Sequence, residues 1–234
     1  LCTALGFSEA MHYSFLSQKE LDDFDSRAET RSNRLAIPDP VSAEYGVMRD
    51  SLLPQLVSSL GRNSSHEESA MLFEIGKVFN KVSRTGQPDI PVERERIALG
   101  MLGPVGRESL RRRVAVTEED AVLWLKGAIE ELLARLHVGK VTFSSTSHPA
   151  FAAALKVTVN GKEIGVLGAL SAKMRHPYRL TTQLAVCELE LKPLLKRTDE
   201  VGKVSPVPQF PSVKRDIALS VSGDVTNESI VAAI

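Results

Sequence analysis

Apolar and polar positions along the chain switch between a helical spacing and a strand-like one, and the switches mark out its elements. Ser17-Gln-Lys-Glu20 spells a capping box that opens a short helix carrying Leu21 and Phe24 on one side. Ser51 is the expected cap of a second helix, with Pro54 in the first turn, where its missing N–H has no intrahelical partner to lose. Leu53, Leu56, Val57 and Leu60 form the apolar stripe of that helix, and Gly61 is its expected stop. Residues 6–15 fit helix and strand equally. Residues 71–79 are apolar on both faces, as in a central strand, and 97–102 is a second apolar run of strand length. Together they predict a hairpin, with 83–89 as an exposed, mobile loop.

Thr117 is the expected cap of a longer helix from about Glu118, in which Val122, Leu125, Ile129, Leu132, Leu133 and Leu136 recur at helical spacing. Gly127 inside it costs roughly 1 kcal/mol relative to alanine, which predicts close packing against another element there. Asn160-Gly161 between β-branched flanks predicts a type I′ hairpin over 154–168. In 185–191, Ala185, Cys187, Leu189 and Leu191 alternate with Val186, Glu188 and Glu190, so the glutamate face meets water or a polar partner. The prolines and charges of 192–211 read as a linker, with a boundary near Lys203 that separates residues 1–203 from 204–234. Beyond it, 213–221 is predicted as a strand leading into a helix over 225–234, with Thr226 as N-cap and Glu228 in the first turn. That is the βα opening of a ferredoxin-like unit. The first residue is Leu1 and the last falls inside the final helix, so the sequence reads as a piece of a longer protein.

With 234 residues, 43% hydrophobic and 25% charged, the chain can bury one large core and carry a fragment besides. Lys plus Arg and Asp plus Glu are both 29, so no net field steers it toward nucleic acid or anionic membrane, and any RNA contact must be a local patch. No apolar run reaches the roughly 18 residues that span a bilayer, and no secretory pattern opens the chain. A cytoplasmic chain with no membrane partner is expected. Cys2 and Cys187 are too few and too far apart for a disulfide framework, and both are expected to be buried, reduced and inert.

Candidate chemistry is sparse. There is no phosphate loop and no dinucleotide fingerprint, and Gly161, Gly165 and Gly168 have the spacing of turns and tight strand packing. His12, His66, His137, His148 and His176 never fall within four residues of one another, so a zinc-type metal site is not expected. No serine sits in a Gly-x-Ser-x-Gly elbow, and neither cysteine has a basic neighbour in sequence. Glu93, Glu95, Glu118, Glu119 and Asp120 stand in charged, solvated stretches rather than as an acid–base pair. Arg107, Arg111, Arg112 and Arg113 form the densest basic cluster. Arginine forks suit phosphates, but a charge run is more often a solvated loop. His12-Tyr13 and Trp124 could line a pocket, and packing is the favoured role for each.

Leu5-Gly-Phe-Ser-Glu9, Tyr13-Ser-Phe15, Glu44-Tyr45, Met48-Arg-Asp-Ser-Leu-Leu-Pro54, Gly61-Arg-Asn63 and Leu72-Phe-Glu-Ile-Gly-Lys-Val-Phe79 follow one another in a family order. With Lys126-Gly127, residues 160–170 and Phe210-Pro-Ser-Val-Lys-Arg-Asp216, they resemble the carboxy-terminal half of bacterial phenylalanyl-tRNA synthetase beta subunits over nearly the whole chain. The resemblance implies an α+β fold, an antiparallel sheet flanked by helices, like the class II aminoacyl-tRNA synthetase catalytic fold. In that class a hairpin strand carries an arginine that binds the α-phosphate of ATP. The similar strand here is Gly76-Lys-Val-Phe79, and Asn80 comes next. An amide cannot replace a permanent cation, and Lys81 would point to the opposite face. A glycine-rich third signature is also missing, because Arg175 follows Gly165 and Gly168 too late.

The resemblance therefore implies a fragment that is inactive alone and has no catalytic, cofactor-binding or metal-binding residue. ATP, magnesium and phenylalanine would belong to the whole enzyme, a heterotetramer whose catalytic site is in a separate alpha subunit. Trp124 where the family usually has aspartate, residues 150–153 in place of a Gly-Arg turn after His148-Pro149, and Ser171-Ala172 in place of His-Pro depart from the pattern. They put ligand roles of those loops in doubt, but not the fold. Editing belongs to domains upstream of this region. The last segment looks like the start of a ferredoxin-like anticodon-binding domain. Its Lys214 and Arg215 are the candidate RNA-binding residues, with an Arg215–Asp216 ion pair as an equal alternative. The expected function is structural support of the alpha subunit and of tRNA placement. A free-standing RNA-binding or regulatory paralogue is the alternative, since fold and function separate readily.

Overall fold

The computed structural model describes residues 1–84, 87–104, 116–195, 210–211, 213–223, 225 and 227–233. They belong to two compact units, Leu1–Asp199 and Glu200–Ile234. In the first unit, in chain order, come β1 (Ser8–Glu9), β2 (Phe15–Leu16), α1 (Gln18–Phe24), α2 (Ala28–Ser32), β3 (Val47–Met48), α3 (Leu53–Asn63), β4 (Ala70–Arg84) and β5 (Gln87–Leu102). Then follow α4 (Glu118–Arg135), β6 (Val141–Thr146), β7 (Phe151–Val159), β8 (Lys162–Leu170), α5 (Ala172–Arg175), β9 (Leu184–Glu190) and α6 (Leu191–Leu195). The second unit carries α7 (Asn227–Ala233).

Among the described residues one seven-stranded sheet runs in the order β1-β4-β5-β9-β8-β7-β6, and β2 pairs with β3 apart from it. Only the short β1–β4 contact is parallel; the other ladders of the sheet are antiparallel. This is the expected α+β fold. Side chains alternate across a strand, so β5 and β9 supply both faces. Ile97, Leu99, Cys187 and Leu189 pack with Leu125, Ile129 and Leu133 of α4. Ala98, Leu102, Leu184 and Val186 pack with Leu56, Val57 and Leu60 of α3 on the other side. Each fully buried leucine or isoleucine contributes roughly 1.5–3 kcal/mol of apolar transfer, and the two helices clamp the sheet.

Three local signals hold. Ser17 and Glu20 form the expected capping box on α1, and Thr117 forms another with Asp120 on α4. Asn160 and Gly161 take positive φ values of 50° and 79° between β7 and β8, as a type I′ turn requires. Cys2 and Cys187 are buried and free.

Several expectations need correction. Residues 83–89 are not a loop of that length: β4 and β5 stay paired out to Arg84 opposite Gln87. A polar ribbon needs only cross-strand hydrogen bonds, which apolar patterning does not register. Gly61 does not stop α3, which continues to Asn63. A Cβ there would lie 2.9 Å from the Tyr178 Cβ, so the glycine serves a close approach. Gly127 is the reverse case, facing open space rather than a packed element. Ser51 sits one position before the cap of α3, although its Oγ still accepts from the Leu53 N–H at 3.1 Å. The proposed linker begins with the short helix α6, and the boundary near Lys203 lies outside the described residues. Residues 213–221 were expected as a strand, but their described members form none. An extended segment is not stabilised without a partner strand. The helix expected to follow is present as α7, with Thr226 outside the described residues.

Candidate functional site

The α3 face of the sheet changes character along its strands. Apolar positions near Ala98, Leu102 and Val186 give way to Arg96 and Glu188, which are register partners of Glu190 and Ala98 on the adjoining strands. The polar end opens into a cleft of about 530 Å3, lined by Phe24, Asp50, Asn80, Arg96, His148 and Glu188 among others. The cleft is therefore placed where β4, β5 and β9 meet the start of α3.

Its floor is made of paired charges. Glu188 is buried; its Oε1 accepts from the Leu52 N–H at 2.5 Å and the Ser51 hydroxyl at 3.1 Å. Its Oε2 pairs with Arg96 Nη1 at 2.5 Å. A carboxylate at a helix start meets N–H groups that have no intrahelical acceptor and the positive end of the dipole. Arg34 donates to Asp50 at 2.7 Å, to Asp22 at 2.6 Å and to the Asp25 carbonyl at 2.7 Å. Burial pushes the Asp50 carboxyl up from its ordinary value against the pull of Arg34, and nearby Glu188 adds to the rise. His148 is lowered by burial and stacks on Phe151.

A further buried network holds the amino-terminal arm to the sheet. Glu74 on β4 accepts from Arg49 at 2.8 Å and meets His12 Nδ1 at 2.6 Å, while His12 Nε2 lies 2.6 Å from the Ser59 Oγ of α3. Arg49 also donates to the Lys77 carbonyl at 2.9 Å. It lies across Gly76, where a built Cβ would collide with its guanidinium. Burial favours the neutral form of Glu74, but the hydrogen bonds from His12 and Arg49 outweigh it and hold the carboxyl below its usual range. Sequence reading expected packing roles for His12-Tyr13. His12 is instead locked into this network, and Tyr13 is 70% exposed, stacked on Phe15 with ring centroids 5.4 Å apart. Trp124 does pack against the core.

The residues singled out by chemistry separate in space. Asn80 lines the cleft, while Lys81 forms an ion pair with Asp89 at 3.3 Å. Arg175 ends α5 and faces Glu118 at 3.9 Å, and it is not among the cleft-lining residues. Arg107, Arg111, Arg112 and Arg113 lie outside the described residues. Lys214 and Arg215, in the second unit, are exposed, and among the described residues no ion pair joins Arg215 to Asp216. No group of His, Cys, Asp and Glu among the described residues is arranged to hold a metal ion. No described helix is long and apolar enough to cross a membrane. The buried pairs Arg34–Asp50 and Arg49–Glu74 and the partly buried pair Arg96–Glu188 were missed by sequence reading. Their one local signal is Arg49-Asp50, two charges directly before an apolar helix.

A family model described as the phenylalanyl tRNA synthetase beta chain CLM domain matches residues 1–191. The phenylalanine-tRNA ligase beta subunit of Clostridium acetobutylicum is 32% identical over 233 residues, covering 96% of this chain and 27% of that protein. The one from Clostridium tetani is 30% identical over 239 residues, covering 98% and 27%. This chain thus spans little more than a quarter of the length of these relatives, 27% in each case. Among solved structures, a pyrrolysyl-tRNA synthetase from Desulfitobacterium hafniense superposes with a TM-score of 0.61 at 15% identity, over 82% of this chain and 63% of that one. At that identity the likeness is one of fold.

Proposed function

The chain belongs to the phenylalanyl-tRNA synthetase beta chain family, and on that premise we propose that it is a non-catalytic core of a phenylalanine-tRNA ligase beta subunit. Its task in this reading is architectural: it docks on a catalytic alpha subunit within a heterotetramer in the cytoplasm and helps to place tRNA for ATP-dependent charging with phenylalanine. The observation that carries the reading is Asn80. It lines the cleft from β4, at the position where the class resemblance calls for an arginine on the α-phosphate of ATP. A neutral amide gives no permanent charge to offset the one that develops as an adenylate forms.

The residues of the cleft do not fit ATP and magnesium. Asp25, Asp50, Glu163, Glu188 and Glu190 line it and outnumber Arg27, Arg96 and Lys156, so a polyphosphate would meet net negative charge, and no His, Cys, Asp and Glu group among the described residues is arranged to hold a metal ion. No chemical step is therefore assigned to this chain, and ATP, magnesium and phenylalanine are proposed to act in the alpha subunit. Residues 1–203 are read as this core, and 204–234 as a linker end and the start of a ferredoxin-like anticodon-binding domain. Lys214 and Arg215 there are exposed cations able to contact RNA phosphates.

ATP–pyrophosphate exchange tests the absence of chemistry. The purified chain with phenylalanine and magnesium is expected to give no exchange above a protein-free control. Exchange proportional to the amount of chain would overturn the reading.

A further inference from the structure

A second, smaller pocket of about 350 Å3 shares Arg27, Thr30, Asn80 and Arg96 with the cleft, but cations dominate its lining where carboxylates dominate the cleft's. Arg27, Lys81, Arg94 and Arg96 contribute to its wall along with Thr30 and Asn80, and Glu29 is the lone carboxylate residue among the described ones lining it. The hairpin register explains the cluster. Val92 stands opposite Asn80, Arg94 opposite Val78 and Arg96 opposite Gly76, so both arginines share the sheet face of Asn80 in consecutive rows.

Cations in a pocket mean little when each is neutralised, so the partners matter. Arg27 is held by Asp25, with its Nη2 at 2.5 Å, and Lys81 by Asp89 at 3.3 Å. Arg94 approaches a carboxylate only at 4.0 Å from Glu190, beyond hydrogen-bond reach. Arg96 uses Nη1 on Glu188, but its Nε is buried with no acceptor. The Asn80 side chain makes no hydrogen bond among the described residues. A buried donor without an acceptor is costly, and here several spare donors from neighbouring strands converge on one cavity.

We propose that this pocket binds a phosphate group, with Arg94 and Arg96 as its cationic forks and Asn80 as a neutral donor. Donors arriving from separate strands suit a tetrahedral oxyanion better than a planar carboxylate, and arginine forks match phosphate oxygens in pairs. Asn80 then has a positive role: it donates to a bound phosphate without activating it. Phosphate binding by the chain alone and assembly with an alpha subunit are separate measurements, so failure of one leaves the other standing. The phosphate has two sources, a free phosphate or phosphomonoester and the backbone of RNA.

Titration of the whole chain with inorganic phosphate, followed by calorimetry against chloride at constant ionic strength, tests the site. Saturable binding is expected, weakened about ten-fold or more in Arg94→Gln, which removes one charge-assisted fork from a half-exposed position. Asn80→Asp, which adds a negative charge, should abolish it, while Lys162→Gln on β8 should leave it unchanged. A short single-stranded RNA that competes with phosphate would assign the site to backbone phosphate, and no competition would assign it to the free anion. Absence of saturable binding at millimolar phosphate, or equal weakening by Lys162→Gln, would overturn the proposal. Circular dichroism of each variant keeps loss of binding separate from loss of fold.

Discussion

Replacing Glu74 by glutamine isolates the charge that fastens the amino-terminal arm to the sheet. The side chain is only 2% exposed and that of Arg49 only 4%, so the pair is out of solvent. Glu74→Gln keeps the shape but leaves the Arg49 guanidinium buried without a counter-ion. Breaking a buried pair by removing one partner typically costs about 3–5 kcal/mol. Arg49 keeps the Lys77 carbonyl at 2.9 Å as a neutral acceptor, which places this case at the lower end, about 3 kcal/mol. For a domain of this size each kcal/mol moves Tm by roughly 2–4 °C, so a fall of about 6–12 °C is expected in thermal unfolding followed by circular dichroism. Glu93→Gln removes a carboxylate from the Lys77–Glu93 pair, where both side chains are more than half exposed, and should leave Tm unchanged. The pH dependence adds a sign. The Glu74 carboxyl is held below its ordinary 4.5, so its stabilisation is present above that value and is lost as pH falls through the lower folded one. The Tm gap between parent and Glu74→Gln should therefore shrink in acid. A Tm within about 2 °C of the parent at neutral pH would refute the reasoning, since that is the shift expected from less than about 1 kcal/mol.

Other outcomes follow from the same packing. Leu56→Ala, at a fully buried position of α3, should cost about 2–5 kcal/mol in urea unfolding, and a smaller loss would mean that the α3 core collapses around the deletion. Gly165→Ala would place a Cβ 2.0 Å from the Glu188 carbonyl oxygen, on backbone that cannot swing aside, so the yield of soluble chain should collapse. The Cys187 thiol is pushed well above its ordinary range by burial, and Cys2 is also raised by burial. Neither should react with a thiol reagent in the native chain, and both should react in guanidinium; fast native labelling of Cys187 would contradict the burial assigned to β9.

What could be read from sequence was whatever is decided within a few residues. The Ser17–Glu20 box, the Thr117 cap and the Asn160-Gly161 turn each depend on near neighbours, and each stands as expected. The apolar stripes of α3 and α4 likewise predicted which residues enter the core. Misreadings arose where a distant partner decides. Gly61 looked like a helix stop because Tyr178, which needs the space, is far away in sequence. Residues 83–89 looked like a loop because a polar ribbon carries no apolar pattern, and 213–221 alternated like a strand but has no pairing strand among the described residues. The cleft was legible only as a missing arginine at Asn80. Its Arg96–Glu188 floor joins residues 92 positions apart, and no local pattern reveals that pairing.

The central claim is that this chain is a subunit core that works through a partner, and co-expression with the matching alpha subunit tests it most directly. Size-exclusion chromatography with mass detection should show one stoichiometric complex of the two chains. Separate elution of both chains at micromolar concentration, with this chain folded by circular dichroism, would contradict the claim that the core itself docks on the alpha subunit.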